Sequence, residues 1–274
     1  MSLCRVNGQP AEGVPVRDRG LAYGDGLFET IRVQAGQPKL FERHLQRLEH
    51  GVERLRIPCD LDRLALEVRL FAAELGEGVA KLIVTRGIGE RGYAPNAGAE
   101  PTRILLGSAS PSYPAHYAQD GIGLYPCATR LAEQPLLAGL KHLNRLEQVM
   151  ARAEWTDPAY AEGLMRDLGG RVIEGVFSNL FLVCEGRLLT ADLSRCGVAG
   201  VMRAHIIEHA APALGLPLEI RDLAYEELLA ADEVFMCNSL YGIWPVHSLD
   251  ARRWSPGAVT RKLQAVLADS TSGT

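Results

Sequence analysis

Residues 19–34 read Arg-Gly-Leu-Ala-Tyr-Gly-Asp-Gly-Leu-Phe-Glu-Thr-Ile-Arg-Val-Gln, and the second half of this stretch decides the fold class. From Leu27 to Gln34 the apolar residues alternate as in a half-buried strand, and Ala35-Gly36 closes it as a turn. Upstream, residues 3–6 read as a short strand followed by the hairpin pair Asn7-Gly8. Downstream the period changes. Residues 41–57 set Leu45, Leu48, Val52 and Leu55 at helical spacing until Pro58 stops them, and residues 61–75 do the same with Leu64, Val68, Phe71 and Leu75. Strand signals return at 81–86 and 103–107, so the first hundred residues predict a sheet covered by two helices.

Residues 108–121, Ser-Ala-Ser-Pro-Ser-Tyr-Pro-Ala-His-Tyr-Ala-Gln-Asp-Gly, lose this periodicity and read as a linker. The expected organisation is a domain over 1–107, a linker over 108–121 and a second domain over 122–274. In the second domain the pattern predicts strands at 122–125, 162–167, 171–174, 179–184, 218–221 and 233–237. Helices are expected at 142–154, 201–214, 225–229 and 258–267, with 270–274 frayed.

The chain has 274 residues, 29 basic against 33 acidic, for a formal net charge of −4. No basic stripe suited to a phosphate backbone is present, so nucleic acid is not an expected partner. No apolar run approaches the ~20 residues that cross a bilayer, and the N-terminal residues lack the apolar core of a signal peptide. A cytoplasmic, non-membrane protein is expected. The six cysteines have no C-x-x-C spacing and read as reduced core residues. Lysine is scarce: Lys39, Lys81, Lys141 and Lys262 are the only primary amines on side chains.

Three groups of residues offer chemistry. His205-Ile-Ile-Glu-His209 matches the H-x-x-E-H zinc pattern, but no third ligand is evident, and solvated histidines on an amphipathic helix account for it better. No metal is therefore expected. His44 and His50 also read as surface groups. Gly197-Val-Ala-Gly200 precedes the helix at Val201, whose first N–H groups, on Val201 and Met202, would face an anion; a simple tight turn explains the glycines equally. Lys141 stands between the apolar run 135–140 and the next helix, where a lysine is either a nucleophile of lowered pKa or a snorkelling surface group.

Seven segments then fall in the order found in the fold type IV pyridoxal-phosphate enzymes, which the chain resembles over nearly its whole length. They are residues 19–30 quoted above, His44-Leu-Gln-Arg47-Leu, and Thr85-Arg-Gly with Arg91-Gly-Tyr93. Leu140-Lys141-His-Leu-Asn, Glu174-Gly-Val-Phe-Ser-Asn-Leu-Phe181, Gly200-Val-Met-Arg203 and Asp232-Glu-Val-Phe-Met-Cys-Asn238-Ser239 follow. The resemblance implies an α+β, two-domain fold, with a smaller N-terminal α/β domain and a larger cofactor-binding C-terminal domain built on a β-barrel-like core with helices. It implies pyridoxal 5'-phosphate as cofactor, Lys141 as its covalent anchor and Glu174 as the carboxylate against the pyridine nitrogen. Arg47, the N–H groups of Val201 and Met202, and the Ser239 hydroxyl would hold the phosphate. A homodimer is also implied.

Within the family, the residues around Lys141, Arg91-Gly-Tyr93 and Cys237-Asn-Ser-Leu240 most resemble the aminodeoxychorismate lyase branch. That branch implies a small-molecule substrate, 4-amino-4-deoxychorismate, touched by Thr30, Arg91, Tyr93 and Asn238. A D-amino acid aminotransferase is the alternative, against which stand Phe28 and Tyr93, where that branch has tyrosine and histidine. Leu146 departs from the branched-chain aminotransferases, which have a tyrosine there, and Met202 replaces the threonine of many aminotransferases.

Overall fold

The structure, a computed structural model, describes residues 3–95 and 98–272, and the chain divides into two compact units. The first comprises residues 1–112 together with 140–144, and the second residues 113–139 with 145–274. The five residues around Lys141 thus pack with the N-terminal unit, although they lie far along the chain.

In the first unit the elements are β1 (Cys4–Val6), β2 (Gln9–Pro10), α1 (Arg19–Tyr23), β3 (Gly26–Gln34), β4 (Gln37–Pro38), α2 (Phe41–Leu55), α3 (Leu61–Leu75), β5 (Gly78–Thr85) and β6 (Thr102–Ser108). The sheet runs β2-β1-β6-β5-β3-β4 with every pair antiparallel. Alternation along β3 buries Leu27, Ile31 and Val33 against Leu48 and Val52 of α2 and Leu64, Val68 and Phe71 of α3. Each such side chain contributes about 1.5–3 kcal/mol on leaving water. The sheet covered by two helices is therefore as the periodicity reads. Asp60 caps α3 by accepting the Arg63 N–H at 3.0 Å.

The short helix α1 explains the glycines of the opening stretch. Asp18 accepts the Gly20 N–H at its start, and Gly24 ends it at φ 65°, the left-handed region where a side chain is disfavoured. Asn144 donates to the Gly24 carbonyl at 3.2 Å, and a Cβ on Gly24 would lie 2.5 Å from its Oδ1.

In the second unit follow α4 (Ala115–Gln119), β7 (Ile122–Leu131), α5 (Leu146–Arg152), β8 (Tyr160–Asp167), β9 (Val172–Gly175), β10 (Asn179–Cys184) and β11 (Arg187–Ala191). Then come α6 (Val201–His205), a π-helical turn (Ile206–Ala210), α7 (Ala211–Ala213), β12 (Leu218–Arg221), α8 (Tyr225–Ala230), β13 (Glu233–Asn238), β14 (Gly242–Leu249), β15 (Arg252–Arg253) and α9 (Ala258–Ser272). The sheet order is β12-β11-β10-β13-β14-β7-β8-β9, with β15 on β14. Its two ends meet: Val172 of β9 donates to the carbonyl of Leu223, just past β12, at 2.9 Å. The curled sheet encloses a core that includes Leu124, Leu164, Leu180 and Met236. The fold is a mixed α and β architecture with a curled, barrel-like sheet.

Four expectations are corrected. Residues 108–121 contain the end of β6 and all of α4. The helix expected from His142 begins only at Leu146. Strands β11 and β14 carry no strong strand pattern; β14 contains Pro245, which weakens a strand reading. The fraying expected from Ser270 meets a helix that continues to Ser272, and residues 273–274 lie outside the described residues.

Candidate active site

Lys141 is placed by its backbone. Its carbonyl accepts the Phe28 N–H at 2.9 Å, and Leu143 donates to the Gly26 carbonyl at 3.0 Å, so 141–143 run as an extra edge beside the start of β3. These main-chain groups are committed to β3 and are not available to open a helix. The half-buried Lys141 side chain brings its amine to 4.4 Å from the centre of the Phe28 ring. Lys81, on β5, lies exposed with its amine 5.5 Å from the same ring. It pairs across the sheet with Thr30, so Lys81 and Thr30 share the face that carries Phe28. The sequence offers Lys81 only as one of four lysines; its register opposite Thr30 is what places it beside Phe28.

On the other face of β3, Glu29 stands among Leu27, Ile31 and Val33 and is only 1% exposed. Arg47 grips it with Nε at 2.8 Å from Oε1 and with Nη2 on Oε2. His44, one turn earlier on α2, brings Nδ1 to 2.6 Å from Oε2. Burial raises the Glu29 pKa, but Arg47 and His44 outweigh it and hold the carboxyl down to about 2. Burial lowers the pKa of His44 against the pull of Glu29, and the ring meets the Glu29 carboxylate through Nδ1. The surface position expected for His44 is therefore wrong, because the one acid in the apolar register of β3 draws it inward. His50 is exposed, as expected. Arg47 thus has a guanidinium plane fixed by a buried anion, the preorganisation a phosphate ligand needs.

The second unit contributes a separate set of groups. Glu174, at the end of β9 and 4% exposed, accepts the Val198 N–H at 2.8 Å, while Asn179 donates to the Val198 carbonyl at 2.9 Å. The peptide groups on both sides of Val198 in the Gly-Val-Ala-Gly segment are thereby fixed. Gly200 is required there, since a Cβ would fall 1.9 Å from the Asn179 Oδ1. α6 then starts at Val201, and its N-cap residue, Gly200, has no side chain to cap the Val201 and Met202 N–H groups. Arg203 ties α6 down through Thr190 Oγ1 at 3.2 Å and the Ala191 carbonyl at 2.9 Å.

Ser239 lies in the turn after β13. Before it, Asn238 accepts the N–H groups of Leu240 and Tyr241 at 2.9 and 3.0 Å, so the oxygen end of its amide organises the turn. Glu162 of β8 was not anticipated. Fully buried, it accepts N–H groups from Gly163 and Val176 at 2.8 and 3.0 Å and the Ser178 hydroxyl. Burial outweighs these dipoles and pushes it up to about 7. It fixes the turn that follows Glu174.

Arg91 and Tyr93 are exposed on the loop after β5, Tyr93 by 86%. The rings of His205 and His209 lie 5.2 Å apart, where the helix passes into its π-helical turn. Among the described residues no group of three or more His, Cys, Asp or Glu is arranged to hold a metal, and all six cysteines are free thiols. Burial pushes Cys237 up to about 12, which keeps it an unreactive thiol.

The first unit thus carries an amine and an arginine aligned by a buried carboxylate, and the second a buried carboxylate beside a glycine-led helix start; each is a kind of group that suits a phosphorylated pyridine aldehyde. The chain belongs to the amino-transferase class IV family, whose model matches residues 26–249. Within it, the chain is 39% identical to the aminodeoxychorismate lyase of Vibrio harveyi over 270 residues, 96% of this chain and 98% of that enzyme. Its fold superposes on the 4-amino-4-deoxychorismate lyase of Pseudomonas aeruginosa with a TM-score of 0.96 at 62% identity, covering 97% and 98% of the two chains. The branched-chain amino acid aminotransferase of Escherichia coli superposes with a TM-score of 0.82 at 26% identity, covering 97% of this chain and 93% of that one.

Proposed function

We propose that this chain is a pyridoxal 5'-phosphate-dependent lyase that converts 4-amino-4-deoxychorismate to 4-aminobenzoate and pyruvate, a step of folate biosynthesis. The observation that carries the reading is the amine of Lys141, rooted on β3 and held over the Phe28 ring, in a chain similar along nearly its whole length to lyases of this kind.

When bound, pyridoxal phosphate supplies an electron sink for the carbon next to nitrogen. Lys141 anchors it and, as a neutral amine, takes the proton from the ring carbon that bears the substrate's nitrogen. Glu174 keeps a proton at the pyridine nitrogen. Arg47, the N–H groups of Val201 and Met202, and the Ser239 hydroxyl hold the phosphate. As the C–H bond breaks, the C–O bond to the enolpyruvyl arm breaks with it. The arm takes up the proton and leaves as pyruvate, and the ring becomes aromatic, so substrate and products balance without another reactant. Thr30, Arg91, Tyr93 and Asn238 bind the two carboxylates and the ring, and the Lys81 ammonium on the Thr30 face adds a further cation for them.

The small-molecule chemistry needs no nucleic acid. No helix among the described residues is long and apolar enough to cross a membrane. The family resemblance supports a homodimer acting in the cytoplasm, each chain folded as two domains; a fully active monomer in sedimentation would refute the dimer.

The direct test incubates the holoenzyme with aminodeoxychorismate and, separately, with a D-amino acid plus a keto acid. Pyruvate and 4-aminobenzoate in equal amounts are expected. Amino-group transfer without 4-aminobenzoate would replace the reading with an aminotransferase. Lys141→Ala is expected to fold and to take up no cofactor covalently; borohydride label on Lys81 instead of Lys141 would overturn the anchor.

A further inference from the structure

The loop that presents Arg91 and Tyr93 has no strand or helix of its own between residues 90 and 95, yet its main chain converges on one buried side chain. Arg19, 4% exposed at the start of α1, donates from Nη1 to the carbonyls of Gly92 and Ala94 at 3.0 and 3.4 Å. From Nη2 it donates to the carbonyl of Tyr93 at 2.9 Å. Its Nε binds Asp25 at 2.8 Å, which balances the charge. Burial raises the Asp25 pKa, but Arg86 and Arg19 outweigh it and hold the carboxyl below its usual value.

A second side chain of α1 holds the loop as well. Gly92 donates its N–H to the Tyr23 hydroxyl at 3.2 Å, and the rings of Tyr23 and Tyr93 lie 5.5 Å apart. The Arg19 guanidinium also sits 4.9 Å from the centre of the Tyr23 ring. Three successive carbonyls turned onto one cation leave the flanking side chains facing outward, and Arg91 and Tyr93 are both exposed. A fork of five N–H donors can serve Asp25 and three carbonyls at once, whereas an ammonium has three donors and no plane.

We propose that Arg19 is a positioning residue for substrate selection, fixing the 92–94 main chain so that Arg91 and Tyr93 meet the substrate already ordered. This rests on the lyase reading and on the assignment of those two residues to substrate. The entropy of ordering the loop is met during folding and not on binding, so loss of the clamp appears as weaker substrate capture. Arg19 touches neither substrate nor cofactor, and the rate of the bound complex is left alone.

The test uses Arg19→Lys and, for the second contact with the loop, Tyr23→Phe, both as holoenzymes whose visible cofactor spectrum matches the parent. With aminodeoxychorismate, Arg19→Lys is expected to raise KM about tenfold with kcat within about twofold, and Tyr23→Phe to raise KM about twofold to threefold. In an Arg91→Ala, Tyr93→Ala background, Arg19→Lys should then change KM by less than about twofold, because the clamp acts only through those side chains. Limited trypsin digestion should cut the Arg91–Gly92 bond about fivefold faster or more in Arg19→Lys. An unchanged KM in both single variants overturns the proposal, as does a KM effect that persists in the background lacking both side chains. If the parent releases no 4-aminobenzoate, the lyase reading fails; an unchanged tryptic cut in that case overturns the clamp separately.

Discussion

Glu29 in the first unit and Glu162 in the second are both sealed from solvent, but Glu29 meets the Arg47 cation as well as His44, and Glu162 meets dipoles alone. Arg47 and His44 hold Glu29 down to about 2, while three backbone N–H groups and the Ser178 hydroxyl leave Glu162 pushed up to about 7. Burial opposes the charged form in both. The difference teaches that a full counter-charge outweighs burial here and that a set of neutral donors does not. Each acid serves a neighbour in the proposed chemistry: Glu29 aligns Arg47, and Glu162 fixes the turn beyond Glu174.

Breaking the charged pair should have the largest effect. Glu29→Gln leaves Arg47 mostly buried without its anion and is expected to cost about 3–4 kcal/mol in urea unfolding, with weaker cofactor retention. A loss under about 1 kcal/mol would show that solvent, not Glu29, satisfies Arg47.

The two acids also predict opposite responses to pH. Glu162, raised from 4.5 to about 7, contributes stability that is full below 4.5 and lost as pH rises through 7. The difference is roughly 3 kcal/mol. Glu29, lowered from 4.5 to about 2, contributes stability that is present above 4.5 and lost as pH falls through 2. Unfolding midpoints measured at pH 5 and pH 8 should therefore fall with pH in the parent and change much less in Glu162→Gln. Parallel curves for the two proteins would remove the contrast.

Glu174 sharpens it by setting function apart from stability. Glu174→Gln retains an oxygen for the Val198 N–H, so its melting should stay near the parent's. Its kcat should fall roughly a hundredfold or more, because an amide does not hold the pyridine nitrogen protonated. Comparable turnover would remove Glu174 from the mechanism. The smallest effect is expected from Ser178→Ala, which takes one donor from Glu162 at a cost of about 1 kcal/mol and shifts its titration further upward. A downward shift of that titration would mean that Ser178 does not act on the carboxylate.

The first unit was legible in the sequence because its contacts follow local periods: β3 alternates, α2 and α3 show apolar faces, and Pro58 marks a real stop. Lys141 stood out by scarcity and by its neighbours, yet its helix was misplaced. The Gly26 and Phe28 groups that claim its backbone lie more than a hundred residues earlier, beyond the reach of any local pattern. The same limit hid the Arg19 clamp and the burial of His44, both of which depend on partners brought near only by folding. In the second unit, β11 and β14 were missed because two-sided burial in a curled sheet erases the alternation that marks a half-exposed strand.

The edge formed by residues 141–143 along β3 has one further consequence. In the proposed chemistry Lys141 holds a cofactor and then collects and delivers a proton, so its amine must change position between those tasks. Here the main chain is tied to β3 at the lysine's own carbonyl and again at Leu143, so the travel belongs to the four methylenes. Rotation about such bonds takes picoseconds to nanoseconds, far faster than loop or domain rearrangement. The arm can therefore swing within each catalytic cycle while its pivot, and the sheet that carries it, stay still.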